Sequence, residues 1–148
     1  MNGDIAEIIF FSSYLNDAQR IIVDNYLSAK YNQVIGNDFY IGNDASYTRD
    51  VQGIGTTDGA TNKHSLAGNG RGLQLAEINN TLDASNEFLL AGHATAANSI
   101  VTTDLPLGGQ NRWQRVWYLE KTGNVDANLS FDFSQAALTV PANLNSDL

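Results

Sequence analysis

The chain predicts a mainly β fold, an antiparallel β-sandwich carrying one N-terminal α-helix. Three observations lead there. From residue 35 onward, short apolar segments alternate with Gly, Asn and Asp, the texture of strands separated by frequent turns. Ser130, Asp132 and Ser134 alternate with Leu129, Phe131 and Phe133, a period of two that expects the apolar set to face inward. Only one stretch, near the start, places its apolar residues at helical spacing.

Taken in order, Asp4 to Phe11 holds Ile5, Ile8, Ile9, Phe10 and Phe11 in so continuous a run that a strand covered on both faces is expected. Asn16 stands at an N-cap position with Gln19 three residues on, a capping-box pair, and Asp17 complements the positive end of the helix dipole. Ala18, Ile22 and Tyr26, flanked by Ile21, Val23 and Leu27, make one apolar stripe, so a helix is predicted over Asp17 to Tyr31, packed on a sheet. Strands are expected at Asp38 to Ile41, Asp50 to Gly55, Gly72 to Ile78, Glu87 to Gly92, Trp113 to Lys121, Val125 to Phe133 and Leu138 to Val140. Thr122, Gly123 and Asn124 then read as the turn of a hairpin. Trp113, Trp117 and Leu119 on one face, with Val116 and Tyr118 on the other, predict a central strand covered on both sides.

The chain has 148 residues, 43% hydrophobic and 16% charged, enough for one core of ordinary size and too few for two full domains. Residues 1–34, strand plus capped helix, are expected to be integral to the same sandwich as residues 35–148. Twelve Asp and four Glu against three Lys and five Arg give a net charge of −8, which disfavours nucleic acid and anionic membrane as partners. No cysteine is present, so disulfides, thiolate metal sites and Cys nucleophiles are excluded together. Asn, Asp, Thr and Gly outweigh Lys and Glu, a balance that suits turns and strands and points to a large exported bacterial protein. No apolar run is long enough for a membrane span, and the opening does not read as a signal peptide. Met1 reads as a start added to an internal slice, and PANLNSDL as an arbitrary boundary.

The opening GDIAEIIFFSSYLNDAQRIIVDNYLSAKY resembles the closing strand and C-terminal helix of laminin-G-like, concanavalin-type jelly rolls of large bacterial surface proteins. Gly3, Ile5, Ala6, Glu7, Tyr26, Leu27, Lys30 and Tyr31 carry that resemblance. DVQGIGTTDGATNKHS and RWQRVWYLEKTGNVDANLSFDFS resemble the β-sandwich module that follows such jelly rolls in adhesins, and together the matches cover about half of the chain. The resemblance implies a jelly-roll-like, extracellular or cell-surface module, either severed from its jelly roll or a split domain. Its implied role is structural or adhesive, and no ligand site is carried over from it.

No catalytic motif is present: His64 and His93 lack a metal-binding helical spacing, no GxSxG elbow occurs, and Gly68 to Gly72 reads as a turn. The one metal hypothesis is calcium, because Asp38, Asp44, Asp50 and Asp58 lie with Asn37 and Asn43 in loop-rich sequence that offers hard oxygen ligands. Asx-turns explain the same residues without metal. Tyr40 and Tyr47, in that region, are the aromatic residues best placed for ligand contact, whereas Trp113, Trp117, Tyr118, Phe131 and Phe133 read as core. The expected function is therefore a non-catalytic structural or interaction module of an adhesin, without a cofactor, monomeric and positioning adjacent domains. The alternative is a carbohydrate-binding module for surface glycans with a calcium-supported loop.

Overall fold

In a computed structural model, which describes residues 3–41, 46–68, 72–105 and 111–136 (without the side chains of 135 and 136), the chain forms one helix and a set of antiparallel strands. The elements are α1 (Asp17–Tyr31), β1 (Arg49–Thr56), β2 (Lys63–His64), β3 (Leu66–Ala67), β4 (Leu73–Glu77), β5 (Glu87–His93), β6 (Ile100–Val101), β7 (Arg112–Trp113), β8 (Trp117–Thr122) and β9 (Ala127–Phe131), followed by a 3₁₀ turn at Phe133–Ala136. One sheet has the order β2-β1-β5-β8 and a second β3-β4-β9, while β6 and β7 pair separately. The fold is mainly β and consistent with the expected sandwich.

The four-stranded sheet has a core on each face. Val51, Phe88 and Leu90 meet Ala18, Ile21, Ile22 and Ala29 of α1 on one side, with Tyr40 beside them. Ile54, Leu89 and Ala91 meet Ala67, Leu73, Leu75, Leu82 and Val125 on the other, joining the two sheets. The order is helix, sheet, sheet. β5 is internal to the first sheet and buried along its whole length, which accounts for its run of apolar residues. Where Phe88 crosses β1 the partner is Gly55, whose hypothetical Cβ would come within 2.6 Å of the Phe88 ring, so only glycine fits.

The local signals at α1 are realised. Asn16 Oδ1 accepts from the Gln19 amide at 2.9 Å and Gln19 Oε1 accepts from the Asn16 amide at 3.0 Å, closing the capping box. Asn32 ends the helix in the left-handed conformation, φ 53°. Asn25 is fully buried within the apolar stripe: its Nδ2 donates to the Ile21 and Asn37 carbonyls at 2.8 Å, and its Oδ1 accepts from the Phe39 amide at 2.7 Å. One polar side chain thus ties the helix to the segment that follows it.

Five expectations need correction, the first being a single strand over Trp113 to Lys121 covered on both sides. Arg112–Trp113 pairs with β6, Trp117–Thr122 is the edge of the larger sheet among the described residues, and Val116 between them is 47% exposed. Asp4 to Phe11 has no regular structure and joins no sheet among the described residues; Ile5, Ile8, Phe10 and Phe11 are exposed, so the run of apolar residues is not the mark of an internal strand here. Asp38 to Ile41 likewise joins no sheet among the described residues, and it lays Tyr40 into the helix-side core. Thr122 to Asn124 is not a hairpin turn. β8 pairs with β5 and β9 with β4, so the chain crosses from one sheet to the other, with Gly123 at φ 78° and Val125 buried in the crossing. Leu129 and Phe131, expected inside, are 41% and 44% exposed because β9 is the edge of the smaller sheet. The expected strand Leu138 to Val140 lies outside the described residues.

Candidate interaction surfaces

Two surfaces converge on the outer side of α1. The first is the segment Gly3–Phe11. Its anchor is Glu7, the least exposed residue of the segment, facing the last two turns of α1. Tyr26 Oη donates to Glu7 Oε1 at 3.1 Å, Tyr31 Oη to Oε2 at 2.9 Å, and Lys30 Nζ to Oε2 at 2.9 Å. Lys30 Nζ also donates to Tyr26 Oη at 2.6 Å and lies 5.0 Å from the centre of that ring. The Lys30 hydrogen bond holds the Glu7 carboxyl below its ordinary value, ahead of those from Tyr31 and Tyr26, and Tyr26 and Glu7 in turn raise the Lys30 ammonium. Glu7, Tyr26, Lys30 and Tyr31 are four of the residues that carry the sequence resemblance, and the fold makes a clamp of them. Beyond the clamp, Ile9 borders an apolar groove of about 540 Å³ with Ile22, Val23, Tyr26, Val51 and Leu66.

The second surface is a polar cleft of about 420 Å³ lined by Tyr26 and Lys30 of α1, Thr48, Arg49 and Asp50 at the start of β1, His93 at the end of β5, Ala96 and Arg115. A β-bulge builds it. Arg49 pairs with His93 and Gln52 with Ala91, so β1 carries one residue more than β5 across this step. Asp50 takes up the excess in a left-handed conformation, φ 48°. Its Oδ2 lies 2.8 Å from Nε2 of His93, whose side chain is 1% exposed. Gly92, opposite the bulge, leaves room for Tyr40, whose hydroxyl a Cβ there would meet at 2.6 Å. His93 Nδ1 is buried with no hydrogen-bond partner among the described residues, and the Trp117 ring meets the imidazole edge-on at 4.7 Å.

The calcium candidates are not brought together. Asp58 Oδ1 accepts from the amides of Ala60, Thr61 and Asn62, and its Oδ2 from Thr61 Oγ1 and Asn62 Nδ2. Those bonds, the Ala60 amide foremost, depress its carboxyl well below the usual range, the Asx-type reading of this turn. Asp38 Oδ1 accepts from the Tyr40 amide, Asp50 belongs to the histidine pair, and Asp44 lies outside the described residues. Among the described residues no three acidic or histidine side chains form a group that could hold a metal.

The expected ligand-contacting tyrosines are placed otherwise. Tyr40 is 1% exposed and its hydroxyl donates to the Tyr47 carbonyl at 2.9 Å; Tyr47 is half-buried and stacks on Tyr118. Tyr40 is thus part of the helix-side core, while Tyr47 packs against that core and keeps part of its surface in solvent. The aromatic residues expected in the core are in part more open: Trp113 is half-buried against Trp117, Phe131 and Phe133.

Sequence reasoning missed Asn25, Asp50 as a partner of His93, and the role of Glu7. The first two act through residues far along the chain, Asp50 through one 43 positions away, with no local spacing to reveal them. Glu7 stood within the quoted resemblance without a physical reason attached. Among the described residues no helix is long and apolar enough to cross a membrane. Compared with family models, curated proteins and solved structures, the chain matches none.

Proposed function

We propose that the chain is a non-catalytic interaction module of a large bacterial surface or secreted protein, and that Gly3–Phe11 is its docking arm. The observation that carries this reading is the arm itself. Ile5, Ile8, Ile9, Phe10 and Phe11 are 38% to 89% exposed in a segment that joins no sheet among the described residues, yet Glu7 fixes that segment to α1. Left in water, each such side chain forgoes about 1.5–3 kcal/mol of burial. Such an apolar segment, once extended, is suited to be added as a strand to the sheet edge of a sandwich. The occupant we assign is the open sheet edge of an adjacent module of the same polypeptide, in keeping with the resemblance of this segment to a closing strand. The clamp to α1 would then set the angle between the two modules.

Hydrogen exchange on this chain alone, and on a longer polypeptide carrying the preceding module, tests the reading. Amides of residues 5–11 are expected to exchange rapidly in the first and to be protected in the second. Rapid exchange in both overturns it. Protection that grows with concentration of the chain alone would replace the neighbouring module by a second copy.

A further inference from the structure

The cleft at the β1 bulge is independent of the docking arm's occupant, and its chemistry points to a ligand. Lys30, Arg49 and Arg115 are three of the eight Lys and Arg in a chain of net charge −8, and they line one cleft. Against them stand Asp50 and, behind Lys30, Glu7. Thr48 adds a hydroxyl to the cleft lining, and behind Asp50 the buried Nδ1 of His93 has no hydrogen-bond partner among the described residues. Nε2 of the buried imidazole is satisfied by Asp50, and the unpartnered Nδ1 and the left-handed Asp50 are the local cost of the bulge.

We propose that this cleft binds a saccharide unit bearing a single carboxylate. The guanidinium groups of Arg49 and Arg115 receive the carboxylate, for which the planar fork is suited. Asp50, fixed by His93, accepts from ring hydroxyls and repels a second anionic group, which selects a hydroxylated monoanion over a phosphate-rich polyanion. The volume of about 420 Å³ lies within the range of small-molecule sites. The Arg115 guanidinium carbon lies 5.7 Å from the centre of the Trp113 ring, a contact that holds this side chain at the cleft wall.

The test uses the whole chain, labelled for NMR, with three probes: methyl glucuronide, methyl glucoside and acetate. Methyl glucuronide is expected to shift the His93 ring and Arg115 side-chain resonances saturably, with methyl glucoside and acetate at least about tenfold weaker, the loss of one charge-assisted contact. Arg49→Gln, on an exposed side chain, is expected to weaken glucuronide binding about tenfold with unchanged melting. Asp50→Asn, which keeps a residue tolerant of the left-handed conformation, is expected to weaken it about tenfold as well, with melting lowered through the changed contact to buried His93. Glucoside binding as tightly as glucuronide overturns the charge requirement. Acetate doing so reduces the cleft to a simple anion site and overturns the saccharide. No saturable shift, or one unaltered in both variants, overturns the proposal altogether.

Discussion

Asn25 and Glu87 show how much single polar side chains organise here. Asn25 meets three backbone groups from within an apolar core, and Asn25→Ala leaves the Asn37 carbonyl and the Phe39 amide without their partner. At about 1–3 kcal/mol for a buried group left unsatisfied, a loss of at least about 2 kcal/mol is expected in urea denaturation. Glu87 is 4% exposed and accepts from the amides of Ala84, Asp83 and Asn124, joining the turn before β5 to the crossing after β8. Those bonds, the Ala84 amide first, hold its carboxyl below the ordinary 4.5. A depressed native value means that the charge stabilises the fold fully above the unfolded value, and that the contribution is lost as pH falls through the native one. Glu87→Gln should therefore be less stable than the parent at neutral pH, with the two denaturation midpoints converging as pH drops below 4.5. A constant gap across that range would show that the charge is immaterial.

At the scale of elements, α1 and the arm respond differently to the same kind of change. Ile22 is 9% exposed in the helix-side core, and Ile22→Ala is expected to cost about 2–4 kcal/mol. Ile8 is 62% exposed, so Ile8→Asp should change unfolding stability by less than about 0.5 kcal/mol. Thermal or urea melts of the two variants separate these outcomes directly; a large loss at Ile8 would place the arm inside the cooperative unit. The helix was legible because its signals are local: Asn16, Gln19 and the apolar stripe act within a few residues of one another. β5 was legible because its stretch from Phe88 to Gly92, buried on both faces, holds no polar side chain to mislead. The arm looked identical to such a strand, since continuous apolar sequence records a demand for cover and not what supplies it. Gly123 permits the same turn whether the strands on either side pair with each other or with distant partners. The Asp50–His93 pair had no sequence signal at all, because the bulge that creates it depends on the register of β1 on β5.

Over the whole molecule, the four-stranded sheet is the part to which everything else attaches, with α1 on one face and the smaller sheet on the other. The arm and the cleft meet at Lys30, which belongs to the clamp on Glu7 and to the wall of the cleft. That sharing places both surfaces on one rigid frame.

The crossing from β8 to β9 has a consequence for how the chain finds this arrangement. Strands adjacent in sequence would zip together within microseconds if they formed a hairpin. Here β8 must first find β5, and β9 must find β4, with Leu73 opposite Phe131. Loop closure on that scale comes before any reward, so refolding in the millisecond-to-second range is expected. Because both sheets have to exist before the crossing can close over Val125, Val125→Ala should accelerate unfolding and leave the refolding rate nearly unchanged. Stopped-flow chevrons would read this, and a slowed refolding arm would mean that the crossing forms early. Until it closes, β9 is a loose strand beside an open edge of β4, and at high concentration the same edge in a second molecule is an equally good partner.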